Sequence, residues 1–170
     1  ALLGMLSEKS MRMSEIVASD KLTGTPAEDI VRAVDAGVAM SMFDVIATAL
    51  PAAAPAVSEK VKLSNAFNNA ILTTEALGGR AVALASEATG TGHMLGDFDA
   101  AILHELVERG RDGLADRVET RLAGSGRSLQ QNGEPVTDAA ARKQIVEQAC
   151  SAFIGNTLPL LAQFGIVTKA

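Results

Sequence analysis

Apolar residues recur at helical spacing over most of the chain. Val31, Val34, Val38, Met42 and Val45 form one stripe, and Phe43, Ile46 and Leu50 widen it beyond what a surface helix needs. Thr25-Pro26-Ala27-Glu28 precedes this stripe. Thr25 is placed to cap, Pro26 to occupy the first helical position and Glu28 to complete a capping box. The pattern predicts a central helix from Thr25 to about Leu50, stopped by Pro51 and Pro55, with residues 51–57 as a stiff connection.

A second periodic stretch begins near Ser58. Leu63, Phe67, Ala70, Thr74, Leu77, Ala81, Leu84 and Ala88 alternate steps of four and three. The register stays in phase across Gly78-Gly79 and predicts a helix continuing through Arg80 to Ala88, although each glycine costs about 1 kcal/mol relative to alanine there. Asp97-Phe98-Asp99 reads as another start, carried by Leu103, Val107, Leu114, Val118 and Leu122 to about Ala123. Gly110 and Gly113 mark a weak point or a break into two helices. Gly124-Ser125-Gly126 and Asn132-Gly133-Glu134-Pro135 punctuate a loop in which Asn132-Gly133 can close a small hairpin. Thr137-Asp138 restarts a helix through Ile145, Val146, Ala149, Cys150, Phe153 and Ile154, ending around Thr157 before Pro159. The tail after it should dock, and a further helix is expected between Met5 and about Lys21.

Composition strengthens the helical reading. The 170 residues are 48% hydrophobic and 21% charged, with alanine supplying much of the apolar count. Alanine favours helices and is depleted from strands, and the hydrophobicity is too high for a disordered chain. The expectation is an all-α, single-domain antiparallel bundle of about five or six helices spanning residues 1–170.

Charge then narrows the partners. The chain carries a formal −5, contains no Trp and no Tyr, and has no basic half. Phosphate-backbone binding draws on clustered Lys and Arg, and base stacking on aromatic rings, so nucleic acid is not an expected partner. Arg109, Arg111, Arg117, Arg121 and Arg127 are interleaved with Glu105, Glu108, Asp112, Asp116 and Glu119, as on a solvated helix face. Cys150 has no partner for an internal disulfide and sits in an apolar helical context, where a buried thiol is expected. With no disulfide framework the compartment stays open, the cytoplasm being the default, and Ala1–Leu6 is too short for the apolar region of a secretory leader and has no basic segment before it. Ala36–Val57 and Ala149–Val167 are poor in charge, but their prolines and polar side chains suit burial against protein better than a bilayer.

Three motifs carry candidate chemistry. His104-Glu105-Leu106-Val107-Glu108 resembles the spacing that sets two metal ligands side by side on a helix with a general base between them. A metal-dependent hydrolase would use His93, His104 and Glu108 as ligands and Glu105 as base; the simpler alternative is a solvated pair four residues apart. The glycines of Gly90–Gly96 could cradle phosphate only after a strand, whereas a helical register precedes them, so an interhelical loop is expected. Gly78-Gly79-Arg80 could present Arg80 to a nucleotide in a partner, as GTPase-activating proteins do, although an arginine on a helix is ordinarily solvated.

No cofactor is expected. The leading expectation is a non-enzymatic assembly or interaction module that binds itself or another protein through apolar helix faces, with Phe153, Ile154, Leu158, Leu161 and Phe164 as the interface.

Overall fold

The computed structural model describes residues 1–9, 11–40, 42, 45, 60–76, 79–126, 128–131 and 134–170. The chain divides into two compact units, Ala1–Ala52 and Ala53–Ala170.

In the first unit the expected helix between Met5 and Lys21 is two short ones, α1 (Leu2–Glu8) and α2 (Met13–Val17), followed by a 3-10 turn at Asp20–Leu22. Arg12 N–H donates to Glu15 Oε2 at 2.9 Å, and the Ser19 hydroxyl reaches Met5 Sδ at 3.7 Å. The next helix, α3 (Ala27–Ala39), begins one residue later than expected, with Pro26 at the cap and no side-chain cap bond from Thr25. It ends at Ala39, where Met40 N–H closes the last turn on Ala36 O; Phe43, Ile46 and Leu50 of the expected stripe and the expected connection over 51–57 lie outside the described residues. Only Ile30 and Gly37 of α3 are fully buried.

The second unit corrects the all-α bundle. Strands alternate with its helices, so the fold is mixed α and β. In order it comprises β1 (Val61–Leu63), α4 (Ala66–Glu75), β2 (Val82–Ser86), β3 (Thr91–Leu95), α5 (Asp97–Arg109), α6 (Leu114–Gly124), β4 (Gln130–Gln131), β5 (Glu134–Pro135) and α7 (Ala139–Ala152). A π-helical turn (Phe153–Thr157), α8 (Leu158–Gln163) and β6 (Val167–Lys169) complete it. Among the described residues β1 pairs with β6, β2 with β3 and β4 with β5, each pair antiparallel.

The helix expected from Ser58 to Ala88 is replaced by strand, helix and strand. Helix α4 stops at Glu75, and Gly79 adopts φ 67°, a left-handed conformation that ends helical winding. Beyond it, Val82, Leu84 and Ser86 are buried while Ala83 is exposed, the period of two that defines a strand with one face covered. Alanines at 81, 83, 85 and 88 fit either period. The Gly90–Gly96 stretch is therefore a hairpin arm rather than an interhelical loop, with Gly90 at φ 68° closing the turn.

The break at Gly110 and Gly113 is present: φ is 77° and 62° there, and α5 and α6 are separate helices. The small hairpin is present as well in its flanks, since Gln130 pairs with Pro135, and Val136 N–H donates to Leu129 O at 2.8 Å. Asp138 caps α7 through Ala141 N–H at 2.7 Å. The last helix does not end before Pro159. Proline offers no N–H and crowds the carbonyl four residues back, and the wider π turn at Phe153–Thr157 lets the chain wind on into α8.

The core gathers around α5. Seven consecutive residues, Ala100–Leu106, are buried, so this helix is covered on all sides. The tail docks as expected, with Leu161, Ile166 and Val167 in the same core. Among the described residues no helix is long and apolar enough to cross a membrane.

Candidate functional site

Two polar assemblies stand out in the second unit: a carboxylate clasp between α5 and α6, and an amide that braces the β2–β3 hairpin.

The clasp centres on Glu105, which is only 6% exposed. Arg117 Nε donates to one carboxylate oxygen at 3.1 Å and Arg121 Nε to the other at 3.1 Å. Arg117 also donates to the carbonyls of Gly110 and Asp112 and, through Nη2, to that of Glu105 at 3.4 Å. Gly110 is the C-cap of α5, so its carbonyl has no intrahelical donor and a cation there also opposes the helix dipole. Glu105 and these arginines thus depart from the solvated face expected for them. Glu105 lies nearly opposite the stripe of Leu103, Val107 and Leu114, but α6 packs on that side too, and a buried carboxylate is tolerable only with such partners. Both oxygens that would act as a general base are already engaged by guanidinium groups.

His104, next to Glu105, is buried, and its Nδ1 has no hydrogen-bond partner. Burial, and then the nearby Arg121 charge, hold its imidazole below the ordinary histidine range against the opposing influence of Glu108 and Glu105. Glu108 itself is exposed one turn further along. His93 lies on β3 with its ring 5.3 Å from that of Phe164, tilted by 55°. The expected ligand set is therefore divided between a strand and a helix, and no three His, Cys, Asp or Glu side chains come together as a metal-holding group among the described residues. Arg80 is exposed in the segment leading into β2 rather than on a helix.

The expected interface residues occupy a different environment. Phe153, Leu158 and Leu161 are essentially inaccessible, and Ile154 and Phe164 are half-buried against the same core. Cys150 is buried beside them, and desolvation pushes its thiol up to about 11, against a lowering influence from Arg117.

The second assembly was not legible in the sequence. Asn68 on α4 is fully buried; its Nδ2 donates to Ala85 O at 2.8 Å and its Oδ1 accepts from Ala85 N–H at 2.7 Å. Asn65 caps α4 by accepting from Asn68 N–H at 2.8 Å, which fixes the start of the helix and so the reach of the Asn68 side chain. On the next residue of β2, Ser86 Oγ donates to Phe164 O at 2.8 Å and accepts from Thr89 N–H at 3.1 Å. The pair Asn65/Asn68 three apart was the available signal, but its partner is seventeen residues away.

Large apolar side chains remain outside the core. Phe67 is 60% exposed, Met94 61% and Leu160 47%. A groove of about 330 Å³ lies between Phe98, Leu122 and Leu129, with Ser128 and Gln130 supplying polar groups.

Compared with protein-family models, curated proteins and solved structures, the chain matches none.

Proposed function

We propose that the chain is a non-enzymatic interaction module whose contacts run through apolar side chains on the second unit. The observation that carries this reading is the exposure of Phe67 and Met94, each about three-fifths open to solvent on elements that are otherwise anchored in the core. Phe67 lies on α4 one residue before the buried Asn68, and Met94 on β3 one residue before the buried Leu95, so both sit on rigid supports. Phe67, with two side-chain torsions, loses little freedom on binding, and the flexible thioether of Met94 can adapt to a partner's shape. Phe153, Leu158 and Leu161 serve the unit's own core, so the binding role moves to these outward residues. The occupation of both Glu105 oxygens by arginine further supports reading the α5–α6 seam as a structural clasp.

Photo-crosslinking tests this reading. A photoreactive residue at position 67 or 94 is expected to give discrete, saturable protein adducts, with none from the exposed Thr120 on α6. Absence of adducts from both positions, in concentrated solution and in extract of the source cells, would overturn it.

A further inference from the structure

The β2–β3 hairpin has two lateral edges, and they are treated differently. Asn68 takes both backbone groups of Ala85, which shows that Ala85 N–H and C=O point away from β3. In an antiparallel ladder such outward residues alternate with bonded ones. Ala85 is opposite Gly92, and Ala83 is opposite Met94. Gly92 and Met94 therefore direct their own N–H and C=O off the far edge of β3, where no described residue bonds to them.

We propose that this edge pairs with the same edge of a second copy of the chain, antiparallel and with a two-fold axis through His93. The proposal deepens the interaction reading above and rests on it. Three features of β3 suit a second copy. The outward residues, Gly92 and Met94, are placed symmetrically about His93, so Gly92 of one copy meets the partner's Met94 and all four outward groups of each strand are satisfied at once. The two positions also complement each other in size. Both lie on the exposed face of the hairpin, and the Met94 side chain of one copy falls across a glycine with no side chain to oppose it. Finally, Thr91-Gly92-His93-Met94-Leu95 contains no acidic residue and no Lys or Arg, so pairing sets no permanent like charges opposite each other despite the formal −5 of the whole chain. The product is one sheet in the order β2-β3-β3-β2, its outer edges braced by Asn68 in each copy.

Absolute mass by light scattering over a wide concentration range tests this, together with residue-resolved amide exchange by NMR. The expected mass moves from 17.5 kDa toward twice that value as concentration rises. Exchange at the Gly92 and Met94 amides should slow in parallel, whereas Ala83 on the opposite edge should not change. Met94→Pro removes one outward donor without touching the β2 ladder, so it should hold the chain monomeric with an unaltered circular dichroism spectrum. Should that variant misfold, the concentration dependence of the two amides in the unsubstituted chain still decides. A monomer at every concentration, or a dimer in which Gly92 and Met94 exchange as fast as in the monomer, overturns self-pairing. If adducts from position 94 contain a different protein while the chain stays monomeric, self-pairing fails and the interaction reading stands.

Discussion

Asn68 stands where a neighbouring strand would, meeting Ala85 with a donor at 2.8 Å and an acceptor at 2.7 Å, as a paired peptide group does. This ties α4 to β2 and satisfies a pair of backbone groups that a two-stranded sheet leaves open on that side. Nothing else on α4 offers both a donor and an acceptor at that depth, since Leu72 is the other fully buried residue of the helix.

Asn68→Asp should therefore be strongly destabilising. The substitution keeps the shape and the acceptor but replaces the donor with a carboxylate oxygen facing the Ala85 carbonyl. Asn68→Leu should also cost stability, by about 1–3 kcal/mol for each backbone group left without a partner. Urea denaturation of the three proteins checks this, and an Asp variant as stable as the parent would show that the amide orientation does not matter.

Glu105→Ala should cost about 3–5 kcal/mol, because it leaves Arg117 and Arg121 charged and half-buried without their carboxylate. Arg121→Ala should cost less than Arg117→Ala, since Arg117 also holds the carbonyls of the turn between α5 and α6. Thermal melts of the variants give the order; equal losses would mean the turn contacts contribute little.

His104 links stability to pH. Its folded-state affinity for protons lies below that of an unfolded histidine, whose reference value is 6.5. The unfolded chain then binds the additional proton first as pH falls. Stability from the neutral buried ring is fully present above about pH 6.5 and is lost on acidification through the window below it. His104→Gln should flatten the dependence of melting temperature on pH between neutrality and about 5. A slope unchanged by the substitution would assign the acid sensitivity elsewhere.

Cys150 should react slowly in the native protein. A thiol raised from 9.0 to about 11 has about a hundredth of the thiolate at a given alkaline pH, before burial restricts the reagent. Alkylation at pH 8 should accelerate by at least about a hundred-fold in denaturant. Rapid native labelling would indicate frequent opening around α7.

Gly155→Ala should stabilise the second unit. A side chain there meets nothing within 4 Å, and the residue lies inside the π turn joining α7 to α8 without a positive φ. Removing the extra backbone freedom of glycine is worth about 0.5–1 kcal/mol. A chemical-denaturation midpoint that falls instead would show that the π turn needs glycine.

Features that depend on a few neighbouring residues could be read directly from the chain. Gly110 and Gly113 signal the break between α5 and α6, Asp138 the start of α7, and the apolar tail its docking, because capping, left-handed turns and burial of long apolar runs are local preferences. The choice between helix and strand over 82–86 was not local. Alanine satisfies both periods, and Val82, Leu84 and Ser86 became a strand face only when β3, Asn68 and the Phe164 carbonyl came to meet them from elsewhere in the chain. The same holds for Glu105. Its charge argues for solvent on any helical wheel, and only the return of α6, bringing Arg117 and Arg121, supplies the compensation that makes its burial possible. Tertiary contact decided these positions because a buried polar group or an edge strand is stabilised by its partner, and that partner is distant in sequence.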